Sequence, residues 1–149
     1  MNRRVLADTN IVLRYIQASS PQHLEVEKAI DRMIASGDVL FVTPQILREF
    51  WAVATRPMDK NGFGFAPSQA FESLKLLRLE FSFLDDKEGI FDQWLDLVTT
   101  HEVKGVKVHD ANHAATALHH GLTHVLTLNP SDFQRYSGSN LQPLTPGEV

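Results

Sequence analysis

Four short apolar runs, each followed by a segment of different periodicity, constrain this chain most. Val5-Leu6-Ala7, Val39-Leu40-Phe41-Val42-Thr43, Phe81-Ser82-Phe83-Leu84 and His124-Val125-Leu126-Thr127-Leu128 are too short for helices and lack the polar alternation of a half-solvated strand. They read as strands covered on both faces. Between them, apolar residues recur at helical spacing. Ile11 to Ile16 reads as one helix, and Pro21 opens another that carries Leu24, Ala29, Ile30, Met33 and Ile34 and stops at Gly37. Gln45 to Thr55, Pro67 to Leu79, Ile90 to Val98 and Asp110 to His120 read as further helices, the third of these six breaking at Arg56-Pro57. Strands separated by helices pair in parallel through right-handed crossovers. The expected fold is therefore α/β: three layers around a central, mostly parallel sheet of four strands, with Leu141 to Leu144 as a fifth.

At 149 residues the chain is read as one domain over 1–149, with a helical excursion at about 57–80 and a loose tail at about 138–149. Its 43% apolar and 21% charged composition suits a globular core. The absence of cysteine excludes a disulfide framework, thiolate metal sites and a cysteine nucleophile. No apolar run approaches a membrane span, and Asp8 interrupts the first one at once, so a cytoplasmic protein without a signal peptide is expected. Net charge is −4, and the fourteen Lys and Arg form no run longer than Arg3-Arg4. A purely electrostatic nucleic-acid binder is usually basic. A phosphate-bearing substrate would therefore need a local cationic patch or bound metal ions.

The acidic residues carry the chemistry. Parallel sheets bind ligands beyond the carboxyl ends of their strands. Asp8 follows the first strand, Asn129 and Asp132 follow the fourth, Glu49 lies about one turn into the helix after the second, and Asp110 opens the alanine-rich helix that leads into the fourth. Singly, Asp8 and Asp110 are also good helix caps and Asp132 a good turn residue. Glu49 is harder to explain that way, because it borders the Ile46/Phe50/Val53 stripe. Together the acids would converge on one sheet edge. Clustered carboxylates repel unless a cation neutralises them, and hard oxygen donors suit Mg2+ or Mn2+. One or two such ions can activate water and stabilise charge on a phosphodiester.

The segments Val5-Leu6-Ala7-Asp8-Thr9-Asn10, Ile46-Leu47-Arg48-Glu49-Phe50, Val108-His109-Asp110-Ala111 and Leu126-Thr127-Leu128-Asn129-Pro130-Ser131-Asp132-Phe133 resemble the PIN-domain ribonucleases, most closely the VapC-like toxins of toxin–antitoxin pairs. The stretch from Thr55 to Gly64 also looks like a loop of one bacterial subgroup. The resemblance spans nearly the whole chain. It implies a PIN-like fold and matches Asp8, Glu49 and Asp110 to the family's acidic triad. The fourth acidic position falls on Asn129, an uncharged and poorer ligand, with Asp132 three residues beyond. Thr9, Asn10 and Thr127 match supporting positions. The implied reaction is metal-dependent endonucleolytic hydrolysis of RNA leaving 5′-phosphate and 3′-hydroxyl ends, with an antitoxin as partner and a two-fold homodimer as assembly. Arg48, Arg56, Lys107 and His109 are candidates for the RNA backbone. A DNA nuclease using the same acids and a catalytically weak scaffold stay open as alternatives. A receiver-like phosphoacceptor domain is a third option; against it, Asp8 has no acidic neighbour and no lysine closes the fourth strand.

Two further expectations concern other residues. His109 and His113 stand four apart, as in a paired zinc site, but without a His-Glu-x-x-His pattern a solvated histidine face is the plainer reading. Phe63 and Phe65, between glycines, read either as an exposed interface patch or as rings folded back beneath the following helix.

Overall fold

The computed structural model describes residues 2–149. The elements, in chain order, are β1 (Arg4–Ala7), α1 (Thr9–Ile16), α2 (His23–Ala35), β2 (Val39–Val42), α3 (Pro44–Thr55), α4 (Pro67–Glu80), β3 (Ser82–Phe83), α5 (Ile90–Thr100), α6 (Lys107–His119), β4 (His124–Leu126) and β5 (Gln142–Leu144). The sheet order is β3-β2-β1-β4-β5, and every neighbour pair is parallel. The sheet is thus fully rather than mostly parallel, and helices flank it. Leu6 pairs with Phe41 on one side and Val125 on the other, and Val5, Leu6, Val125 and Leu126 are wholly buried. Continuous apolar strands are the consequence of that double cover.

Strand order reverses between β1 and β4, so the crevice past their carboxyl ends is the topological switch point of the sheet. A chain bond draws those two ends together, the Asp8 N–H donating to the Leu126 carbonyl at 3.0 Å, and the Thr127 N–H ties the end of β4 to β5 through the Leu144 carbonyl at 2.9 Å. Local chemistry starts the helices there. Asp8 caps α1 by accepting from the Thr9 N–H, while Thr43 caps α3 by accepting from the Ile46 N–H, with Pro44 in the first helical position. α6 starts at Lys107, three residues before the expected Asp110, so Asp110 lies inside its first turn instead of capping it.

Packing overturns one expectation and decides between the two readings of another. The tail is not loose: Gln142–Leu144 extends the sheet edge, Leu141 is fully buried, and Arg32 Nε donates to the Val149 carbonyl at 3.0 Å. Pro143 is admitted there because an edge strand leaves one side unpaired. Phe63 and Phe65 do not form an exposed patch. Their N–H groups donate to the Val53 and Ala54 carbonyls at the end of α3, and their rings stack edge-on with each other and, through Phe63, with buried Phe50. Gly62 makes this fold-back feasible, since a Cβ there would sit 2.0 Å from the Arg56 carbonyl oxygen. α1 buries Ile11, Val12 and Leu13 in the core, whereas α4 leaves Phe71 and Leu79 at 52% and 82% exposure.

Candidate active site at the sheet switch point

Asp8 is nearly buried and held from three sides. One carboxylate oxygen accepts from the Thr9 N–H at 2.8 Å; the other accepts from Thr127 Oγ1 at 2.8 Å and Asn10 Nδ2 at 3.2 Å. Asn10 also accepts the Leu128 N–H at 3.1 Å, and Thr127 Oγ1 accepts the Asn129 N–H at 3.0 Å. The turns after β1 and β4 are thereby stitched into one rigid unit around the Asp8 carboxylate. Burial pushes the Asp8 pKa up, against the pull of His113, Thr127 and Thr9.

Glu49 projects from α3 into the same crevice. Its Oε1 accepts from Thr9 Oγ1 at 2.6 Å and meets His113 Nε2 at 2.9 Å, and its Oε2 accepts from Gln45 Nε2 at 3.1 Å. Burial alone would raise its pKa, but the hydrogen bond and charge of His113, with Thr9 and Gln45, override it and hold the group at about 2. Asp110 is the opposite case. Half buried, with no side-chain hydrogen bond among the described residues, it is pushed up to about 6 by desolvation and then by the charges of Asp132 and Asp8. Asp132 is engaged elsewhere: Lys107 Nζ stands 2.5 Å from its Oδ1. Asn129, between Thr127 and Asp132, contributes only its backbone N–H to the network.

His113 is the residue the sequence reading misplaced. It is 3% exposed, not on a solvated face, and contacts Glu49 across 64 positions of sequence. Burial opposes its protonation, but Glu49, Asp8 and Asp110 surround it and raise its pKa. When protonated it is the protein's own cation among the acids. A signal existed: position 113 follows Asp110 by one helical turn and precedes Ala117 by another, on the apolar side of an alanine-rich helix. The two histidines are not paired in this arrangement: His113 turns its ring to Glu49, while His109 is exposed and its carbonyl accepts from Gln45 at 3.3 Å.

The cationic candidates are scattered. Arg48 is exposed beside Glu49, on the rim of an open cavity. Lys107 is committed to Asp132. Arg56, seven residues past Glu49, lies about 10 Å further along the α3 axis and outside the crevice. Among the described residues no three His, Asp or Glu side chains are preassembled around a single point that could hold a metal ion. What the switch point does present is a set of carboxylates in which Asp132 and Asp8 push Asp110 up, offset only in part by His113 and Lys107.

Comparison with known proteins agrees with this architecture. The PIN domain family model matches residues 5–138. VapBC-1 from nontypeable Haemophilus influenzae superposes with a TM-score of 0.71 at 20% identity, covering 97% of this chain and 98% of that one. A toxin–antitoxin complex from Klebsiella pneumoniae gives 0.65 at 21%, covering 97% and 99%. The sarcin–ricin loop cleaving toxin VapC20 of Mycobacterium tuberculosis gives 0.59 at 16%, covering 81% and 86%. At such identities the likeness is one of fold. No curated protein matches the sequence.

Proposed function

Because the chain belongs to the PIN-domain family, we propose that it is a metal-dependent endoribonuclease and the toxin of a toxin–antitoxin pair. The observation that carries this reading is the strained carboxylate cluster at the switch point, where Asp110 is driven to a pKa of about 6 by burial and by its acidic neighbours. A hard divalent cation relieves that repulsion. Asp8, Glu49, Asp110 and Asp132, with Asn129, are the groups that would hold Mg2+ or Mn2+. When bound, the ion supplies water activation and stabilises charge on the phosphodiester.

The chain's own residues provide the frame. Thr127, Asn10 and the Thr9 amide fix the Asp8 carboxylate, so that little reorganisation remains when substrate arrives. His113 and Thr9 hold Glu49 ionised. Arg48 offers a cation for the phosphate backbone of an otherwise acidic protein. Water displaces the 3′-oxygen at phosphorus, and the products carry a 5′-phosphate and a 3′-hydroxyl.

The solved relatives include a complex of toxin with antitoxin and a toxin that cleaves the sarcin–ricin loop. By that likeness the partners here are an RNA substrate, an antitoxin and a second copy of the chain, in the cytoplasm. Among the described residues no helix is long and apolar enough to cross a membrane. The exposed apolar strip of α4 is available for either protein partner.

The test is Asp8→Asn, which keeps shape and removes charge. The parent should cut RNA only with Mg2+ or Mn2+, and the variant should lose cleavage while unfolding cooperatively as the parent does. Equal cleavage by both, or cleavage undiminished by chelator, would overturn the assignment. Single-stranded DNA run in parallel separates a ribonuclease from a DNA nuclease.

A further inference from the structure

Beside the acidic crevice lies an open cavity of about 470 Å3, lined in part by Gln45, Arg48, Glu49, Phe91, Trp94 and Asn112. That volume is within the ~300–1,000 Å3 range of small-molecule sites. One wall is aromatic. Phe91 is 67% exposed and lies 5.5 Å from Trp94, ring centre to ring centre, tilted by 34°. Trp94 cannot swing, because its indole N–H donates to the Val108 carbonyl at 2.8 Å. The opposite wall is polar. Asn112 Nδ2 donates to Gln45 Oε1, and Gln45 Nε2 donates in turn to Glu49 Oε2 at 3.1 Å. The Asn112 side-chain oxygen has no partner among the described residues, and Arg48 has no carboxylate partner among them.

An exposed aromatic that adjoins a fixed one in a polar-rimmed cavity forms a contiguous apolar surface of the kind that marks ligand-binding grooves. An amide that presents both a donor and an acceptor matches the edge of a nucleobase. Unpaired bases are recognised by stacking on aromatic rings combined with hydrogen bonds to their edges. The cavity also shares Glu49 with the acidic cluster, so a ligand bound here is adjacent to whatever the acids act on. We propose that this cavity is a base-binding subsite: an unpaired nucleobase flanking the cleaved phosphodiester stacks on Phe91 and Trp94, its edge is read by Asn112, and Arg48 contacts the adjoining phosphate. The proposal deepens the ribonuclease reading and rests on it. It connects base recognition to the acids through Gln45.

The experiment measures binding, so it does not depend on turnover. A short single-stranded oligoribonucleotide and the same strand with an abasic ribose at one internal position are titrated by fluorescence anisotropy, with chelator present. The parent should bind the complete strand about tenfold more tightly than the best-placed abasic strand. Phe91→Ala, at an exposed position where folding is undemanding, should erase that preference while leaving affinity for the abasic strand unchanged. Asn112→Ala should change which base is preferred. Sedimentation of Phe91→Ala guards the interpretation: if the parent is a dimer and this variant a monomer of 16.8 kDa, the aromatic shelf is a contact between copies and the base site is refuted. Retention of the full preference by Phe91→Ala, or no preference in the parent, also refutes it. Metal-dependent cleavage by the parent alongside such a result would sink the subsite alone. An intact preference with no cleavage would sink the ribonuclease reading alone.

Discussion

Replacing Asp110 by Asn should make the protein more stable and inactive at once. Asp110 is raised from 3.8 to about 6, first by desolvation and then by Asp132 and Asp8. The sign follows from linkage. Between these two values the unfolded chain has already released the proton that the folded chain retains, so stability falls as pH rises through that window. Below it both states are protonated and the effect is absent. Near neutral pH the full cost is expressed. At ~1.4 kcal/mol per pKa unit the shift corresponds to ~3 kcal/mol, and for a half-exposed carboxylate solvent screening reduces this to ~1–1.5 kcal/mol. Asn has nearly the same shape and no charge, so Asp110→Asn should gain that amount, or roughly 3–5 °C in Tm for a domain of this size. The assay is calorimetric unfolding with chelator at neutral pH and again below pH 3.8, where the gain should vanish. Saturating Mg2+ or Mn2+ should reverse the order, because only the parent retains the full ligand set and ligand binding to the folded state stabilises it, by ~2.7 kcal/mol at a hundredfold excess over Kd. A variant that is less stable than the parent in chelator at neutral pH, or that gains equally below pH 3.8, would refute the electrostatic argument.

Two further perturbations follow from the same network. His113→Leu removes a donor from ionised Glu49 and should cost about 1.5–3 kcal/mol; His113 is raised above 6.5 and Glu49 lowered from 4.5 to about 2, so the pair's contribution is complete between pH 4.5 and 6.5, lost upward as His113 deprotonates and downward as Glu49 protonates, and urea unfolding against pH should show the deficit largest in that window. Lys107→Met frees Asp132 of its counter-ion and removes a charge that lowers Asp110, so a carbon-13 carboxyl titration should find the Asp110 pKa higher in the variant; a lower value would mean that Lys107 is not coupled to the cluster.

The acidic positions most visible in the sequence are those that local rules anchor. Asp8 is legible because an apolar strand ends at it and a helix begins after it, and the same residue serves as helix cap and as site carboxylate. Glu49 and Asp110 are legible because a carboxylate beside an apolar stripe, or in the first turn of an alanine-rich helix, stands out against its neighbours. The parallel sheet follows from strands with no polar alternation. The remaining features depend on what lies opposite each residue in space. His113 looks like one more histidine until α6 packs it against Glu49 of α3. Asp132 looks like a free ligand until the start of α6 brings Lys107 within 2.5 Å. Leu141 to Leu144 carries a short strand signal, but that it holds the tail in place depends on the open edge β4 offers Gln142–Leu144. Phe63 and Phe65 are half-buried by a backbone fold-back onto α3 that no periodicity encodes. Local pattern determines where elements start and stop and which residues stand at their ends. Which of those residues become partners, and with what charge, is settled by packing, because desolvation and Coulomb coupling depend on distances that the chain order does not contain.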